Sequence, residues 1–474
     1  MASELLIAAG PGELRGVLVE DGRAVDLRIV RDGEGGRVGE VHLGRVVRLL
    51  PALQAALVEI GLDRPAFLAI EDTAGAANRR LAEGDSVLVQ ITREAQGDKA
   101  ASVSLRPRLA GRLLTLTPGR AGIVMPKQAD PARRQRLASL LEGRLPDEVG
   151  AALGRAALAA APDAVATEVA ALQARWASLQ QRAARATPPA RLDDDAGLVG
   201  HLLAAFAEQP PERIVIDDRA ILAATRSWLA RHQPGLPRDL ALHDGADDIF
   251  ERHGVADDLA AAMAIRVALA GGGEGAGALI VETTAAMNVI DVDGGDAVAG
   301  RGDPRMAVLG VNLAAAAAAA RQIRLRNLAG AIVIDFISME RRGDRERVGA
   351  TLQQALAGDP ARPQILGWTR LGHVELTRRR RHRPLAEILF ERPAGGMPVR
   401  SALTTALAAL RAAARQAAHQ PARAPSLIVH PAVAAALAGP AAAARRQLEA
   451  ALARPVAIVS DPVRGRDTFD IRHD

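Results

Sequence analysis

The sequence predicts an α/β protein that is divided into several domains. Its 474 residues are enough for two or three hydrophobic cores of ordinary size. Residues 1–105 alternate apolar and polar side chains with a period of two, which is typical of short antiparallel strands. From about residue 110 onward, strand-like and helix-like segments alternate instead. These three observations favour a β-rich first part that is followed by α/β domains.

The first part contains two groups of short strands. Residues 1–36 alternate apolar and polar positions between glycine and aspartate breaks, which predicts antiparallel strands. Five more strands follow in about 70 residues without an intervening helix, which suggests a small barrel such as an OB fold. Folds of this kind often bind single-stranded nucleic acid. The five predicted strands are Val41–Leu50, Leu53–Ile60, Ala66–Ile70, Ser86–Thr92 and Ala100–Leu105.

The middle of the chain is predicted to alternate strands and helices. A short strand, Leu113–Leu116, precedes the alanine- and arginine-rich helices Pro131–Leu141 and Asp163–Ala184, and a proline-rich linker begins at Thr187. The glycine-rich segment 271–277 lacks the Lys-Ser/Thr pair of a phosphate-binding loop and is interpreted as a joint. Between the linker and the joint, the predicted elements are helix Gly197–Glu208, strand Arg213–Asp217, helix Arg219–His232, strand Asp239–Leu242 and helix Val255–Ala268.

The last 200 residues carry the sharpest pattern. Asn312 is predicted to cap a helix over Leu313–Leu325, and an apolar strand, Ala331–Phe336, follows it. The other predicted elements are strands Ala278–Glu282 and Ala286–Val292, helices Asp344–Ala357 and Ala402–Ala418, strand Ser426–His430, two further helices, and strands Val456–Ser460 and Thr468–Ile471.

The composition excludes several classes of protein. The sequence has no cysteine, which excludes disulfides, cysteine-ligated zinc, iron–sulfur clusters and a thiol nucleophile, and fits a cytoplasmic protein. No apolar run approaches the 18 or so residues of a membrane span, and the N-terminus does not resemble a secretory signal, so no span is expected.

The basic residues are almost all arginine, because Lys99 and Lys127 are the only lysines among 60 basic side chains. The planar guanidinium suits phosphate groups, which favours nucleic acid as a partner. A GC-rich coding sequence would produce the same excess of arginine and alanine, so the composition leaves both explanations open.

Three aspartates stand at the ends of predicted strands. Asp291 and Asp293 are two residues apart on one strand and therefore point to the same face, and Asp335 ends another apolar strand. A carboxylate at the end of a buried strand needs compensation, which a shared magnesium ion would supply through its preference for oxygen ligands. The alternative is that each aspartate caps the loop or helix that follows it.

The clustered arginines have two interpretations, a solvated face or phosphate contacts. They include Arg321 and Arg324 on one helix and the run from Arg378 to Arg383. His373 and His382 show no metal-binding spacing and are interpreted as surface or packing residues. Phe67 is the only phenylalanine of the expected barrel, so a base-stacking platform there would be small.

Long segments of the chain resemble the ribonuclease E/G family. The run from Ala320 to Met339 resembles that family strongly, and Asn288–Gly295 looks like its aspartate–x–asparagine metal strand. Residues 44–68 look like its S1-type RNA-binding domain, and the tail from Ile428 to Ile471 is similar to the ribonuclease G branch. The resemblance covers nearly the whole chain in order.

The resemblance implies a layout of several α/β domains. An RNase H-like domain would be discontinuous, and an S1-type OB barrel would be inserted into it. A 5′-sensor domain, a DNase I-like catalytic domain, a degenerate zinc link and a small C-terminal α/β domain would follow. The implied boundaries are 1–36 with 190–268, 37–106, 107–189, 269–390, 391–400 and 401–474.

The resemblance also implies site residues. Asp291 and Asp335 match the two aspartates that bind the catalytic magnesium, and Asp293 stands in the catalytic site where the family usually has an asparagine. In the barrel, Phe67 and Lys99 match RNA contacts, whereas Leu57 replaces an expected phenylalanine. For sensing the 5′ end, Gly111, Arg155 and Arg362 match, but Ala156 replaces a threonine.

The resemblance therefore predicts a magnesium-dependent endoribonuclease that cleaves single-stranded RNA in ribosomal RNA processing or messenger RNA decay. Arg321 and Arg324 are expected to hold the RNA backbone. The alternative is a catalytically inactive RNA-binding protein that retains the architecture. Because Glu391-Arg-Pro-Ala-Gly-Gly replaces the family's CPxC motif, no zinc is expected, and any homodimer would form without a zinc link.

Overall fold

The structure is a computed structural model that describes most of the chain. The described residues are 3–70, 81–95, 99–193, 197–206, 210–232, 239–245, 247–269, 277–284, 286–298, 303–391, 398–419 and 425–473. They divide into two compact units. The first comprises Met1–Gly33, Pro211–Arg219 and Asp239–Asp474, and the second comprises Glu34–Pro210 and Ala220–Arg238.

Strands and helices are numbered here in chain order. The strands are β1 (Ser3–Gly10), β2 (Glu13–Glu20), β3 (Arg23–Arg31), β4 (Val41–Leu50), β5 (Ala55–Glu59), β6 (Ala66–Ala69), β7 (Ser86–Arg93), β8 (Ser102–Ser104), β9 (Leu109–Ala110), β10 (Leu114–Pro118), β11 (Arg120–Val124), β12 (Val149–Leu153), β13 (Ala190–Arg191), β14 (Arg213–Ile216), β15 (Asp239–Leu242), β16 (Arg266–Ala268), β17 (Ala278–Thr283), β18 (Met287–Asp293), β19 (Gly330–Asp335), β20 (Gln364–Trp368), β21 (His373–Arg378), β22 (Phe390–Glu391), β23 (Val399–Arg400), β24 (Pro425–Val429), β25 (Ala457–Ser460) and β26 (Phe469–His473). The helices are α1 (Pro131–Glu142), α2 (Ala156–Ala159), α3 (Pro162–Arg185), α4 (Gly197–Ala205), α5 (Arg219–His232), α6 (Ile249–Arg252), α7 (Ala256–Met263), α8 (Pro304–Leu325), α9 (Arg342–Leu356), α10 (Leu385–Leu389), α11 (Ala402–His419), α12 (Pro431–Ala438) and α13 (Ala442–Leu452).

In the first unit, the N-terminal strands form a mixed five-stranded sheet in the order β15-β14-β1-β2-β3. β1, β2 and β3 are antiparallel neighbours, whereas β14 and β15 run parallel to β1. The alternating apolar residues that predict these strands form a core, in which Leu6, Val17 and Val215 pack with Phe250. Local periodicity therefore predicts β1, β2 and β3. The parallel strands β14 and β15 come from a segment about 200 residues later in the chain.

A six-stranded sheet in the same unit has the order β16-β17-β18-β19-β21-β20. Only β18 and β19 are parallel neighbours, and they are connected through α8. Helices α8 and α9 cover one face, where Ile290 and Ile332 of the sheet pack with Ala316 and Leu352. The opposite face is the open face of this sheet. The remaining strands of the unit form a pair, β22-β23, and a C-terminal sheet in the order β25-β24-β26.

Two predicted helices differ from the observed ones. The segment predicted as helix Val255–Ala268 is split, because α7 ends at Met263 and β16 adds to the edge of the six-stranded sheet. Asn312 does not cap a helix. α8 begins nine residues earlier than predicted, where the Asp303 side chain accepts a hydrogen bond from the backbone N–H of Arg305.

By length and composition alone, α8 is apolar enough to cross a membrane. Its apolar side packs against the six-stranded sheet within the protein, and its alanines allow close approach, with Ala315, Ala316 and Ala319 fully buried. Near its end, Arg321 and Arg324 pair with carboxylates of the same unit. These contacts are those of a helix in a protein core.

In the second unit, strands β4, β5, β6, β8 and β7 form a closed barrel, because β4 pairs with both β5 and β7. The predicted OB-like barrel is therefore confirmed. Gly44 is required in β4, since a Cβ there would lie 2.5 Å from the side chain of Val58 on the neighbouring strand β5. A second sheet, in the order β11-β12-β10-β9, packs against α1 and α3.

Candidate active site on the six-stranded sheet

A line of residues in register crosses the open face of the six-stranded sheet. Arg266 is paired with Ile280, Ile280 with Asp291, Asp291 with Asp335, and Asp335 with His373. Residues in register on adjacent strands share a face, so the five side chains lie on one side of the sheet. We call these five residues the cross-strand row.

The alternation of each strand places the aspartates on the open face. Ile290 and Val292 are buried on the covered side of β18, which leaves Asp291 exposed on the other side. In β19, Ile332 and Ile334 are fully buried, and the Asp335 side chain remains 49% exposed. Two carboxylates therefore stand side by side at the carboxyl ends of two parallel strands.

Asn312 fixes the backbone that follows Asp335. Its side chain is fully buried in α8, where Nδ2 donates to the carbonyl oxygen of Ile337 at 2.8 Å. The backbone N–H of Ile337 donates in return to Oδ1 of Asn312 at 3.1 Å. This reciprocal pair joins the helix that follows β18 to the loop that follows β19. Asn312 therefore anchors the segment that follows Asp335 to α8.

His373 lies beside Asp335, with its Nε2 atom 3.5 Å from Oδ2 of the carboxylate. The sequence prediction of a surface or packing residue missed this position. Nothing in the spacing of the histidines indicates it, because the neighbour relation depends on the pairing of β19 with β21.

Two groups of the protein donate hydrogen bonds to the Asp293 carboxylate. Nη2 of Arg266 lies 2.7 Å from Oδ2 of Asp293, and the backbone N–H of Gly295 donates to Oδ1 at 3.0 Å. The hydrogen bond from Gly295, and then that from Arg266, holds the pKa of Asp293 below its usual value. Each carboxylate oxygen therefore has a partner within the protein.

The two carboxylates fit magnesium better than a metal whose ligands must all come from the protein. Within the described residues, no group of three or more acidic, histidine or cysteine side chains is arranged to hold a metal ion. Magnesium is commonly held by one or two carboxylates, with water and substrate phosphate completing its shell. Asp291 and Asp335 supply two such carboxylates on an open face.

Arg321 and Arg324, the predicted RNA contacts, each have a carboxylate partner within the first unit. Nη1 of Arg321 lies 2.9 Å from Oδ1 of Asp258, and the buried Arg324 lies 3.3 Å from the Glu20 carboxylate. Both guanidiniums join α8 to neighbouring segments of the first unit. A run of like charges on the sequence does not reveal such internal partners.

Arg378, the first residue of the predicted arginine run, is also structural. Its guanidinium is bonded to both oxygens of Asp359, with Nε–Oδ2 at 2.6 Å, and both side chains are only 2% exposed. Nη1 donates further to Oδ1 of Asn327 at 2.7 Å. Neither a solvated face nor a phosphate contact describes this residue.

Comparison with known proteins agrees with this architecture. The sequence model of the Ribonuclease E/G family matches residues 108–381. The chain belongs to the ribonuclease E/G family. It is 29% identical to Ribonuclease G of Escherichia coli over 99% of both chains, and 30% identical to Ribonuclease G of Haemophilus influenzae over 82% of both chains. It is 33% identical to Ribonuclease E of Nostoc over 74% of this chain and 52% of that one.

The barrel of this ribonuclease E/G family member carries a second line of residues in register. Arg48 is paired with Leu57, Leu57 with Phe67, Phe67 with Ser102, and Ser102 with Arg93. We call these five residues the barrel row. Phe67 and Leu57 lie partly exposed between two exposed arginines, and Nη2 of Arg93 donates to the Ser102 hydroxyl at 2.8 Å. The sequence analysis did not single out Arg48 or Arg93. Lys99 is exposed at the edge of this barrel.

The predicted 5′-sensor residues lie in both units of this family member, Gly111 and Arg155 in the second and Arg362 in the first. Gly111 leaves room for the buried Glu168, since a Cβ would lie 2.3 Å from its Oε1 atom. Glu168 accepts the N–H groups of Leu113 and Leu114, and burial raises its pKa. These contacts order the backbone beside Gly111.

Arg362 is held in place by the Arg378–Asp359 pair. Its φ is +51°, a left-handed conformation that a non-glycine residue seldom adopts. The Asp359 carboxylate accepts the N–H of Ala361 at 2.9 Å, and the Asp359 carbonyl accepts that of Arg362 at 3.0 Å. A buried ion pair therefore maintains the turn that ends in Arg362.

Proposed function

We propose that this chain is an endoribonuclease that cleaves single-stranded RNA with the help of magnesium, in ribosomal RNA processing or messenger RNA decay. The observation that carries the proposal is the register pair Asp291–Asp335 on the open face of the six-stranded sheet. The names of its relatives, Ribonuclease G and Ribonuclease E, support the same class of substrate.

Each residue of the site has a distinct part in this proposal. Asp291 and Asp335 would hold the ion, which supplies positive charge at the scissile phosphate and a water of lowered pKa. The pairing of β18 with β19 keeps the two carboxylates adjacent, Asn312 anchors the segment after Asp335 through Ile337, and His373 borders Asp335 on the opposite side from Asp291. Both carboxylates are accessible within the first unit, because Asp291 is exposed and the Asp335 side chain is 49% exposed.

The second candidate is a catalytically inactive RNA-binding protein. The barrel row favours RNA binding, while Leu57 and Ala156 weaken the elements that resemble substrate recognition in active relatives. Retention of both register-paired aspartates favours the enzyme, because an inactive scaffold would not require two adjacent exposed carboxylates.

The deciding experiment uses the purified chain and a 5′-labelled, A/U-rich single-stranded RNA, with magnesium or with EDTA. Internal cleavage that EDTA abolishes, and that Asp335→Asn also abolishes, is the expected result. The matched control is Asp21→Asn, which removes one exposed carboxylate at a turn whose left-handed φ asparagine accepts. Binding without cleavage by the wild-type chain would favour the second candidate.

Several finer assignments belong to this proposal. The mixed five-stranded sheet supports an RNase H-like domain, the closed barrel an S1-type domain, and the six-stranded sheet a DNase I-like catalytic domain. The rest of the layout, the cytoplasmic location, the absence of zinc and a homodimer without a zinc link are proposed on the sequence alone. Most of the link that replaces CPxC, residues 392–397, lies outside the described residues.

A further inference from the structure

We propose that Arg266, held in place by Asp293, binds a backbone phosphate of the RNA close to the cleavage site. This inference rests on the proposed function and adds to it a phosphate-binding residue on β16. It also assigns Asp293 as a positioning residue that orients Arg266, where the resemblance places Asp293 in the catalytic site.

The first line of support is the geometry of the pair. The Arg266 side chain is 56% exposed, and its contact with Asp293 uses Nη2, one atom of a guanidinium that carries five N–H donors in a planar fork. Asp293 is itself fixed by the N–H of Gly295. An arginine that is anchored at one nitrogen on an exposed face keeps its remaining donors for a ligand, and this arrangement suits phosphate oxygens.

The second line of support is the position of Arg266 in the cross-strand row. It stands two strands from Asp291, with only Ile280 between them, so the two backbones are separated by about 10 Å at the usual strand spacing. The arginine side chain extends over part of this distance towards Asp293. An RNA strand that lies along the row would therefore pass from the aspartates to the guanidinium.

The third line of support is the charge of the open face. Asp291, Asp293 and Asp335 place three carboxylates in or beside the cross-strand row, where a polyanion must bind, and Glu282 and Glu375 share this face one row away. A divalent ion held by Asp291 and Asp335 would balance two of these charges, and the Asp293 carboxylate is balanced by Arg266. Without an arginine in this position, the third carboxylate would repel the RNA next to the ion.

Two simpler roles give different results and can be distinguished from the proposal. In one, Asp293 is a third metal ligand, so Asp293→Asn weakens metal binding. In the other, Arg266 only neutralises Asp293, so removing both charges together restores RNA binding. If Arg266 binds phosphate, the arginine is needed whether or not Asp293 carries a charge.

The experiment measures the affinity of the full chain for an unstructured 5′-labelled RNA in EDTA, as a function of salt between 50 mM and 1 M. The variants are Arg266→Ala, Asp293→Asn and the double variant Arg266→Ala/Asp293→Asn. The matched control is Arg213→Ala, which removes an arginine that is similarly exposed (49%) and also paired with an aspartate, Asp239, at 3.1 Å.

We expect Arg266→Ala to reduce the slope of log affinity against log salt by about 0.7, the value for one phosphate contact on single-stranded nucleic acid. Over a twentyfold range of salt, this change corresponds to roughly an eightfold loss of affinity at 50 mM. The double variant should lose the same slope, and Arg213→Ala should not. A slope for Arg266→Ala equal to that of the control, or full binding by the double variant, would overturn the proposal.

A separate titration tests the role of Asp293. The affinity for Mn²⁺ is measured from the decrease in the electron-spin resonance signal of the free ion. This affinity should be unchanged in Asp293→Asn and at least tenfold lower in Asp335→Asn. An equal loss in both variants would make Asp293 a metal ligand and contradict its positioning role. Neither readout requires cleavage, so an inactive wild-type chain would reject the proposed function and still leave the role of Arg266 decided.

Discussion

Two strands of the first unit end in an aspartate at the same kind of position, yet their surroundings differ. Asp217 follows β14 of the N-terminal sheet and accepts the N–H of Ala9 at 2.7 Å. Burial raises the pKa of Asp217 to about 6, with a smaller contribution from Asp218. Asp335 ends β19 on an open face, with Asp291 in register on the next strand.

The comparison teaches that a carboxylate at a strand end is not by itself a candidate metal site. The strand that neighbours Asp217 offers a backbone amide from Ala9, and this contact makes the carboxylate part of the packing. The strand that neighbours Asp335 offers a second carboxylate, and the alternation of both strands keeps the pair exposed. The difference is the register with a second carboxylate on a face where both side chains stay exposed.

The sharpest test of the comparison removes each aspartate in turn. Asp335→Asn and Asp291→Asn should each lower the cleavage rate by a factor of about 10² to 10³ or more, because the ion that these residues are proposed to hold would stabilise charge in the transition state. RNA affinity should remain largely intact, since ground-state binding depends less on that charge. Asp217→Asn should cleave normally. Cleavage by both Asp335→Asn and Asp291→Asn at a rate close to that of the wild-type chain would show that the active site is not on this sheet.

A second test concerns the two hydrogen bonds between Asn312 and Ile337, which anchor the segment after Asp335 to α8. Asn312→Ala leaves the partly buried N–H and carbonyl of Ile337 without their side-chain partners and should lower the free energy of unfolding by about 2 kcal/mol. Because the same change frees the loop after Asp335, cleavage should fall roughly tenfold or more even where the protein remains folded.

Asn288→Ala is the matched control for Asn312→Ala. Asn288 is equally an interior asparagine, with Nδ2 donating to the Ala329 carbonyl at 3.0 Å, but it lies at the opposite end of β18 from Asp293. We expect a similar loss of stability, measured by urea unfolding, with much less loss of cleavage. Equal losses of cleavage in both variants would show that Asn312 acts only through stability.

A third test uses the raised pKa of Asp217. In the folded protein this carboxyl binds its proton more tightly than in the unfolded chain, so stability falls as the pH rises from about 4 to about 6. Asp217→Asn cannot titrate, yet its side-chain oxygen can still accept the N–H of Ala9. Relative to this variant, the wild-type chain should lose about 1–3 kcal/mol across that range. Urea unfolding at several pH values measures the difference, and parallel curves would contradict a buried carboxyl.

The smallest expected effect concerns the proposed sensing of the RNA 5′ end by Arg362. The turn that ends in Arg362 depends, like Asp335, on a partner from another strand, here Arg378 paired with Asp359. A 5′-phosphate sensor with Ala156 lacks one hydroxyl donor, and one hydrogen bond to a charged group contributes about 1.5–3 kcal/mol. Cleavage should therefore prefer 5′-monophosphate over 5′-hydroxyl RNA only weakly, and Ala156→Thr should increase the preference about tenfold. A large preference in the wild-type chain, lost in Arg362→Ala, would instead show that the sensor works without the hydroxyl.

The arginines show where prediction from the sequence is weakest. Arg321, Arg324 and Arg378 look on the sequence like parts of basic clusters, but each has a carboxylate partner in the fold, respectively Asp258, Glu20 and Asp359. Those partners are between 19 and 304 residues away along the chain. The charge pattern alone cannot distinguish an arginine that is available to RNA from one that holds two elements together.

The sequence by itself determined what depends on neighbouring residues. The alternation of β18 placed Asp291 and Asp293 on one face, the run of short strands predicted the barrel, and the motifs around Asp335 indicated the family. The tertiary structure alone decided the partners, because register between strands separated by tens of residues is set by packing of the whole core. That packing placed Asp335 between Asp291 and His373, moved Asn312 from a predicted cap to a buried clamp, and paired Asp293 with Arg266.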